Sequence, residues 1–242
     1  MNNLTILEIK SVFGNTSRSM YPVVIKDGNE LILVDTALPG QFDMLKAEAA
    51  AKGVDLGKLT KIVITHHDID HIGTLAALKK AFPKVKILSS AIEADYISGK
   101  KESIRLALSK KNFENMPEEQ KANALNFQKM FANVERTNVD ITLADDGLLP
   151  DCAKTKVIHT PGHLPGHISV YFEETKSLIT GDAIGYENGN HFINPGYTID
   201  RPLAKESIKK FLDYDITNII CYHGGLFEGD CKKVFRDLIE GE

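Results

Sequence analysis

The segment Thr65–Gly73, THHDIDHIG, places three histidines and two aspartates within the six consecutive residues from His66 to His71. The apolar run Ile62–Ile64 comes directly before it, and Leu75 and Leu78 begin a helical spacing soon after it. This order predicts a strand, a polar loop and then a helix. Because side chains at the carboxyl edge of a sheet converge on one crevice, we expect the loop to carry a metal site. The alternative is a polar turn that is merely rich in histidine and aspartate.

The composition of the chain is that of an ordinary globular protein. Its 242 residues, 43% of them hydrophobic, suffice for one large core, and we expect a single domain over residues 1–242. A net charge of -4 gives no general attraction for nucleic acid or an anionic membrane. The chain has no apolar run of about 18 residues, no signal-peptide features at its start and no CxxC pair. We therefore expect a soluble, cytoplasmic protein with a small-molecule substrate and no nucleic-acid or membrane partner, and leave a homodimer open.

Strand and helix patterns alternate along the chain. The β-prone runs Tyr21–Lys26 and Glu30–Val34 flank Asp27-Gly28, which is a strong hairpin signal. Two sheets faced by helices fit the whole order of patterns better than one parallel sheet. We predict further strands at Leu4–Ile9, Val85–Leu88, Val139–Leu143, Val157–His159, Ile168–Phe172, Ser177–Thr180 and Asn218–Tyr222, and helices at Gln41–Lys52, Thr74–Phe82, Leu203–Tyr214 and Asp230–Ile239.

Residues 91–134 differ in kind from the strand-rich segments on either side. Helical spacing at Ile92 and Tyr96 stops near Gly99, and Pro117 begins a second helical pattern, so we predict a helical insert. For the basic cluster within it we favour a solvated helix surface over a site for an anionic substrate. The cluster consists of Lys100, Lys101, Arg105, Lys110 and Lys111.

Three later segments also place polar side chains after predicted strands. HTPGHLPGH, from His159 to His167, has two Pro-Gly pairs whose rigid turns can hold a histidine outside regular structure. Asp182 follows a strand in SLITGDA, and His223 follows a buried strand in IICYHGG. A carboxylate can bind two cations, one through each oxygen, which makes Asp182 a candidate bridge. A single histidine after a strand is more often structural, so the case for His223 depends on the other motifs.

The pattern His66-x-Asp68-x-Asp70-His71 resembles the HxHxDH signature of the metallo-β-lactamase superfamily, with Asp68 where that family has its second histidine. The segments that contain His163, Asp182 and His223 follow in the order typical of the family. The resemblance implies the family's α/β fold, a four-layer αβ/βα sandwich of two mixed sheets flanked by helices. It also implies that the insert at 91–134 covers the active site as a lid.

The same resemblance implies a site for two metal ions. One ion is expected at His66, Asp68 and His163, the other at Asp70, His71 and His223, with Asp182 between them. Structural roles are implied for Asp35, His159 and His167, and no ligand role for His67.

Two divalent ions are the expected cofactors. Zinc is the first choice, and the extra carboxylate of Asp68 makes iron or manganese better competitors. The resemblance implies a hydrolase in which a hydroxide that bridges the ions attacks a small ester, lactone or thioester. Asp70 or Asp182 would handle the proton, while Tyr186 either donates a hydrogen bond to the reacting group or simply packs, and His191 either faces the pocket or is simply exposed. The alternatives are a di-iron oxidoreductase acting on dioxygen or nitric oxide, and a non-enzymatic metal or ligand binder.

Overall fold

Two six-stranded mixed sheets form the centre of the computed structural model, which describes residues 3–13 and 16–241. The first sheet has the order β1 (Leu4–Ile6), β4 (Val23–Asp27), β5 (Glu30–Val34), β6 (Lys61–Val63), β7 (Lys86–Ser90) and β8 (Ile141–Leu143). The second has the order β16 (Gly225–Glu228), β15 (Asn218–Cys221), β12 (Ser177–Ile179), β11 (Ile168–Phe172), β10 (Thr155–His159) and β9 (Gly147–Leu148). Two separate hairpins are β2 (Ile9–Phe13) with β3 (Thr16–Met20), and β13 (Gly185–Glu187) with β14 (Asn190–Phe192).

The two sheets pack face to face on a shared core. Along β5, Ile32 and Val34 belong to this core, whereas Leu33 points to the opposite side of the sheet. This alternation follows from the two-residue period of side chains along a strand. The core joins Val63 and Leu88 of the first sheet to Val170, Phe172 and Ile179 of the second.

Helices cover the outer face of each sheet. Leu33 packs in a cluster with Leu45 and Leu78, and Leu178 packs in another with Ile208 and Phe235. The four-layer sandwich predicted for the chain is therefore confirmed. The helices are α1 (Phe42–Ala51), α2 (Ile69–Ile72), α3 (Leu75–Ala81), α4 (Ala91–Ile97), α5 (Ile104–Asn112), α6 (Glu118–Ala132), α7 (Arg201–Lys209) and α8 (Cys231–Glu240), with 3-10 turns at Leu56–Lys58, Glu173–Thr175 and Lys210–Asp213.

The insert at 91–134 is helical, as predicted, and contains α4, α5 and α6. It connects β7 to β8, which pair directly as parallel neighbours, so it is an elaborated crossover within the first sheet. Its role as a lid and the single-domain assignment stay predictions. Within residues 3–13 and 16–241, the helices are all too short or too polar to span a bilayer.

Short sequence motifs predicted some turns and helix ends correctly and missed others. The hairpin at Asp27-Gly28 is present, with Asp27 paired to Glu30 and Gly28 in the left-handed region at φ +63°. The side chain of Asp230 caps α8 by accepting from the Lys233 amide. By contrast, the strand predicted at Leu4–Ile9 is present only over Leu4–Ile6. Its second half is wrong, because Ile9 begins β2 of a hairpin that was not predicted.

Candidate metal centre

Four loops meet at one edge of the sandwich, and each of them follows a strand. The Thr65–His71 segment follows β6 and runs into the short helix α2, while His163 lies in the turns after β10. Asp182 and His223 come after β12 and β15, which are parallel neighbours and therefore end at the same edge. The structure thus brings together every residue predicted as a metal ligand: His66, Asp68, Asp70, His71, His163, Asp182 and His223.

His66, Asp68 and His163 form one group of donor atoms, which we call the first triad. Asp68 Oδ2 lies 3.4 Å from His66 Nε2 and 3.2 Å from His163 Nε2. All three side chains are buried. Two imidazole nitrogens and one carboxylate oxygen at this spacing are a donor set typical of transition-metal sites.

Asp70, His71 and His223 form the second triad. Asp70 Oδ2 lies 3.1 Å from His223 Nε2 and 3.8 Å from His71 Nε2. Asp182 stands between the triads, with Oδ1 3.3 Å from His71 Nε2 and Oδ2 3.6 Å from the Nε2 atoms of both His163 and His223. Its carboxylate therefore faces both triads, which is the placement that a bridging ligand requires.

The donor atoms fit divalent cations. Within the described residues, His66 Nε2, His71 Nε2 and Asp182 Oδ1 are buried without a hydrogen-bond partner. Buried polar atoms in proteins nearly always have one, so converging unpartnered atoms indicate a place for a cation. A tetrahedral zinc site with bonds of about 2.0–2.1 Å separates its donors by about 3.3 Å, which is close to the shorter spacings in both triads.

Charge is concentrated in this cluster. Burial alone would lower the pKa of His71, but the carboxylates of Asp35, Asp182 and Asp70 raise it well above its usual range. Burial likewise disfavours charge on His223, yet Asp182 and Asp70 raise the pKa of that imidazole. Carboxylates that stabilise a protonated imidazole would stabilise a metal cation for the same electrostatic reason.

Asp35 orients the second triad from beneath. It adopts a left-handed backbone conformation, with φ 58°, and is buried. Its carboxylate accepts hydrogen bonds from the Thr65 amide at 2.9 Å and the Thr65 hydroxyl at 2.8 Å, and it lies 2.9 Å from His71 Nδ1. Because Nδ1 faces Asp35, Nε2 is directed toward the centre, so Asp35 has the geometry of a supporting residue, as predicted.

Two other histidines support the loops. His167 Nε2 accepts from the Asp182 amide at 3.0 Å, and burial lowers the pKa of His167 to about 3, which keeps the ring neutral. His159 lies outside the cluster, with Nε2 3.2 Å from the Leu143 carbonyl oxygen. Both placements match the structural roles predicted for them.

His67 turns away from the centre, although it belongs to the same segment. Its ring stacks on Tyr96 with 4.3 Å between ring centroids, and its Nδ1 and backbone amide both contact the Glu93 carboxylate. Glu93 is fully buried in α4 and also accepts from the Gly166 amide at 3.1 Å. This carboxylate links the two ligand-bearing loops and was not identified from the sequence.

Comparison with known proteins decides the family. Residues 20–223 match the family model described as Metallo-beta-lactamase superfamily. The chain belongs to this superfamily. The predicted family is therefore confirmed, and the order of the four motifs was a valid signal for it.

Several known proteins resemble most of the chain. The Bacillus subtilis (strain 168) protein named Probable metallo-hydrolase YflN is 26% identical over 229 residues, which cover 88% of this chain and 81% of that protein. A hydroxyacylglutathione hydrolase of Francisella philomiragia is 22% identical over 179 residues, 74% of this chain and 52% of that protein. The crystal structure of the family protein TTHA1429 from Thermus thermophilus superposes with a TM-score of 0.74 at 23% identity, covering 99% of this chain and 79% of that one, which shows the shared fold.

The position of Arg105 differs most from what the sequence of this superfamily member predicts. The prediction of a solvated basic surface suits Lys101 and Lys110, whose side chains are exposed and pair with Asp95 and Glu102. It is wrong for Arg105, which is only 7% exposed and reaches into the first triad. No pattern in the sequence separates this arginine from the lysines around it, since the signal lies in the packing of α5.

The predicted role of Tyr186 is not tested by its position. Its ring stacks on His191 with 4.5 Å between centroids and makes an edge contact with Phe227. The Tyr186 amide donates to the His223 carbonyl oxygen at 2.9 Å, which holds its strand beside the second triad. Hydrogen bonding from Tyr186 to a substrate stays a prediction, and His191 takes part in this aromatic cluster.

Proposed function

We propose that this member of the metallo-β-lactamase superfamily is a metal-dependent hydrolase of small esters, lactones or thioesters. The observation that carries the proposal is the second triad together with Asp182. These four side chains combine two imidazoles and two carboxylates around one point, and Asp35 orients His71 toward it. Such a site is suited to activating water.

A divalent ion held by these residues supplies Lewis acidity and lowers the pKa of a coordinated water to about 7. The protein supplies the other parts of the reaction. Asp70 Oδ2 and Asp182 Oδ2 lie 3.1 Å and 3.6 Å from His223 Nε2, so two carboxylate oxygens are available to accept the proton of an attacking water. The negative charge of these two carboxylates also holds the attacking water and the neighbouring imidazoles in one place.

Substrate access is from the side of the second triad. The His223 side chain is 37% exposed and that of Asp70 is 21% exposed, whereas the first-triad side chains are at most 9% exposed. An acyl carbon would therefore approach past His223. The name of the Francisella relative, a hydroxyacylglutathione hydrolase, supports acyl hydrolysis as the class to test first.

The test is a substrate screen on the purified protein reloaded with zinc, manganese or iron. We expect hydrolysis of an aryl ester, a γ-lactone or a glutathione thioester that a chelator abolishes, and no comparable hydrolysis of a phosphodiester. Asp182→Asn and His71→Ala should lose turnover, while His159→Gln should keep it, because His159 lies outside the cluster. Turnover that survives both chelation and these substitutions would contradict the proposal. Metal-dependent oxygen consumption without hydrolysis would favour the alternative of a di-iron oxidoreductase. Bound metal without any turnover would favour the alternative of a non-enzymatic metal binder.

A further inference from the structure

We propose that the guanidinium of Arg105 is the resident cation of the first triad, so that the chain holds one divalent ion, in the second triad. The inference rests on the proposed function in one respect, since it says which part of the same centre activates water. The sequence predicts two ions per chain, whereas this proposal gives one, and the number of bound ions decides between the two.

The contacts of Arg105 are directed at two of the three first-triad donors. Its Nε lies 3.1 Å and 3.0 Å from the two oxygens of Asp68, and its Nη2 lies 2.9 Å from Asp68 Oδ2. The same Nη2 lies 3.0 Å from His163 Nε2. Planar, forked pairing of this kind is the strongest way in which arginine binds a carboxylate.

The contact with His163 excludes a metal bond at the same atom. A guanidinium can only donate hydrogen bonds, so the contact is favourable only when His163 Nε2 is unprotonated and accepts. An imidazole nitrogen has a single lone pair in the ring plane. That lone pair can point at the Arg105 Nη2 proton or at a metal ion, and it cannot serve both.

Charge and distance lead to the same conclusion. Nη2, Asp68 Oδ2 and His163 Nε2 are 2.9 to 3.2 Å apart from one another. An ion at the usual distance of about 2.0–2.1 Å from the last two atoms would therefore lie within about 4 Å of Nη2, whichever side it occupied. The carboxylate of Asp68 already pairs with Arg105, and Asp182, whose Oδ2 lies 3.6 Å from His163 Nε2, is shared with the second triad, so a dication held by Asp68 and His163 would be repelled by the guanidinium at close range.

The fold holds Arg105 in this position. The amide of Ile104, in the first turn of α5, lies 3.4 Å from His67 Nε2, and His67 is held by Glu93. On another side, the guanidinium carbon lies 5.4 Å from the centre of the Tyr197 ring. A buried guanidinium does not give up its proton, so removing it from Asp68 would leave two buried charges without partners.

The decisive measurement is the number of metal ions per chain. Wild-type protein, Arg105→Ala and the matched control Lys110→Ala, all folded by circular dichroism, are equilibrated with excess zinc, desalted and analysed by elemental mass spectrometry. Lys110 lies on the same helix but pairs with Glu102 at the surface. We expect one ion per chain in the wild type and in Lys110→Ala, and two in Arg105→Ala, where Asp68 and His163 become free to bind.

The stoichiometry of the wild type decides the matter even if Arg105→Ala does not fold. Two tightly held ions, or none, in the wild type would overturn the proposal, as would a folded Arg105→Ala protein that still holds one. Failure of the proposed function is a separate outcome. If the wild type holds one ion per chain and Arg105→Ala holds two, the assignment of Arg105 is supported even when neither protein hydrolyses a substrate. Conversely, two ions in an active wild type would contradict only the role given to Arg105.

Discussion

At the scale of single residues, Asp35 shows how one side chain can organise the centre without belonging to it. Its left-handed backbone, with φ 58°, turns the carboxylate back toward the loop after β6. One oxygen accepts from the Thr65 amide and the other from the Thr65 hydroxyl, beside His71 Nδ1. The orientation of His71 therefore depends on a residue that is 36 positions away along the chain.

Asp35→Asn should weaken metal binding without unfolding the protein, because asparagine also tolerates the left-handed conformation. Its amide group cannot accept from Thr65 and His71 through both of its polar atoms, so His71 loses part of its support. We expect the metal dissociation constant, measured by competition with a chromogenic chelator, to rise about 10–100-fold.

Asp146→Asn is the matched control for this prediction. Asp146 is also left-handed, with φ 54°, but lies at the surface and accepts from the Tyr214 hydroxyl. Its substitution should leave the dissociation constant unchanged. Equal affinities in Asp35→Asn and in the wild type would show that the contact with His71 does not direct its ring.

The candidate ligand residues could be brought together from the sequence because each follows a strand and carries a side chain suited to metals. His163 and Asp182 are examples, since each lies in a short local motif after a strand. Their roles as ligands stay predictions. Arg105 and Glu93 could not be found in this way. Arg105 meets Asp68 across 37 residues, and Glu93 meets Gly166 across 73. Such pairs depend on how the insert packs against the sheets, which helical periodicity alone does not specify.

At the scale of elements, helix α4 connects two loops through one buried carboxylate. Its Glu93 is fully buried and accepts from the amides of His67 and Gly166. The Ser90 side chain caps the helix by accepting from the Glu93 amide, and its hydroxyl donates to the Gly166 carbonyl oxygen. One turn of helix therefore fixes the loop after β6 relative to the loop after β10.

Glu93→Ala should destabilise the fold strongly, because it leaves two amides and the His67 ring without their partner. We expect the free energy of unfolding to fall by about 3–5 kcal/mol, the range found when one member of a buried pair is removed. Urea unfolding followed by circular dichroism measures this as a lower midpoint. Asp95→Ala, on the same helix, breaks an exposed pair with Lys101 and should leave the midpoint nearly unchanged. Comparable losses in the two variants would contradict the role of Glu93.

Other elements show where sequence patterns suffice. The hairpin between β4 and β5 and the cap of α8 depend on a few neighbouring residues, so local chemistry specifies them. The hairpin of β2 and β3 was missed because TSRSM in β3 is mostly polar and lacks apolar alternation. Its position depends on tertiary contacts, such as that of the Gln41 side chain, which donates to the Ser11 hydroxyl.

At the scale of the whole molecule, the centre lies at the junction between the two sheets. His66, Asp70 and His71 follow a strand of the first sheet, whereas Asp182 and His223 follow strands of the second. A cation bound among them therefore ties the two halves together at one edge. The shared apolar core joins the same halves through side chains such as Phe172.

Metal removal should therefore lower the stability of the whole fold rather than of one loop. A ligand that binds only the native state at 100 times its dissociation constant adds about 2.7 kcal/mol, which corresponds to a melting temperature about 5–10 °C higher for a chain of this size. Scanning calorimetry with and without a chelator measures the difference. His223→Ala removes one donor from the second triad, so its melting temperature should respond much less to the chelator. A chelator effect of equal size in His223→Ala and in the wild type would mean that the stabilising ion binds somewhere other than this junction.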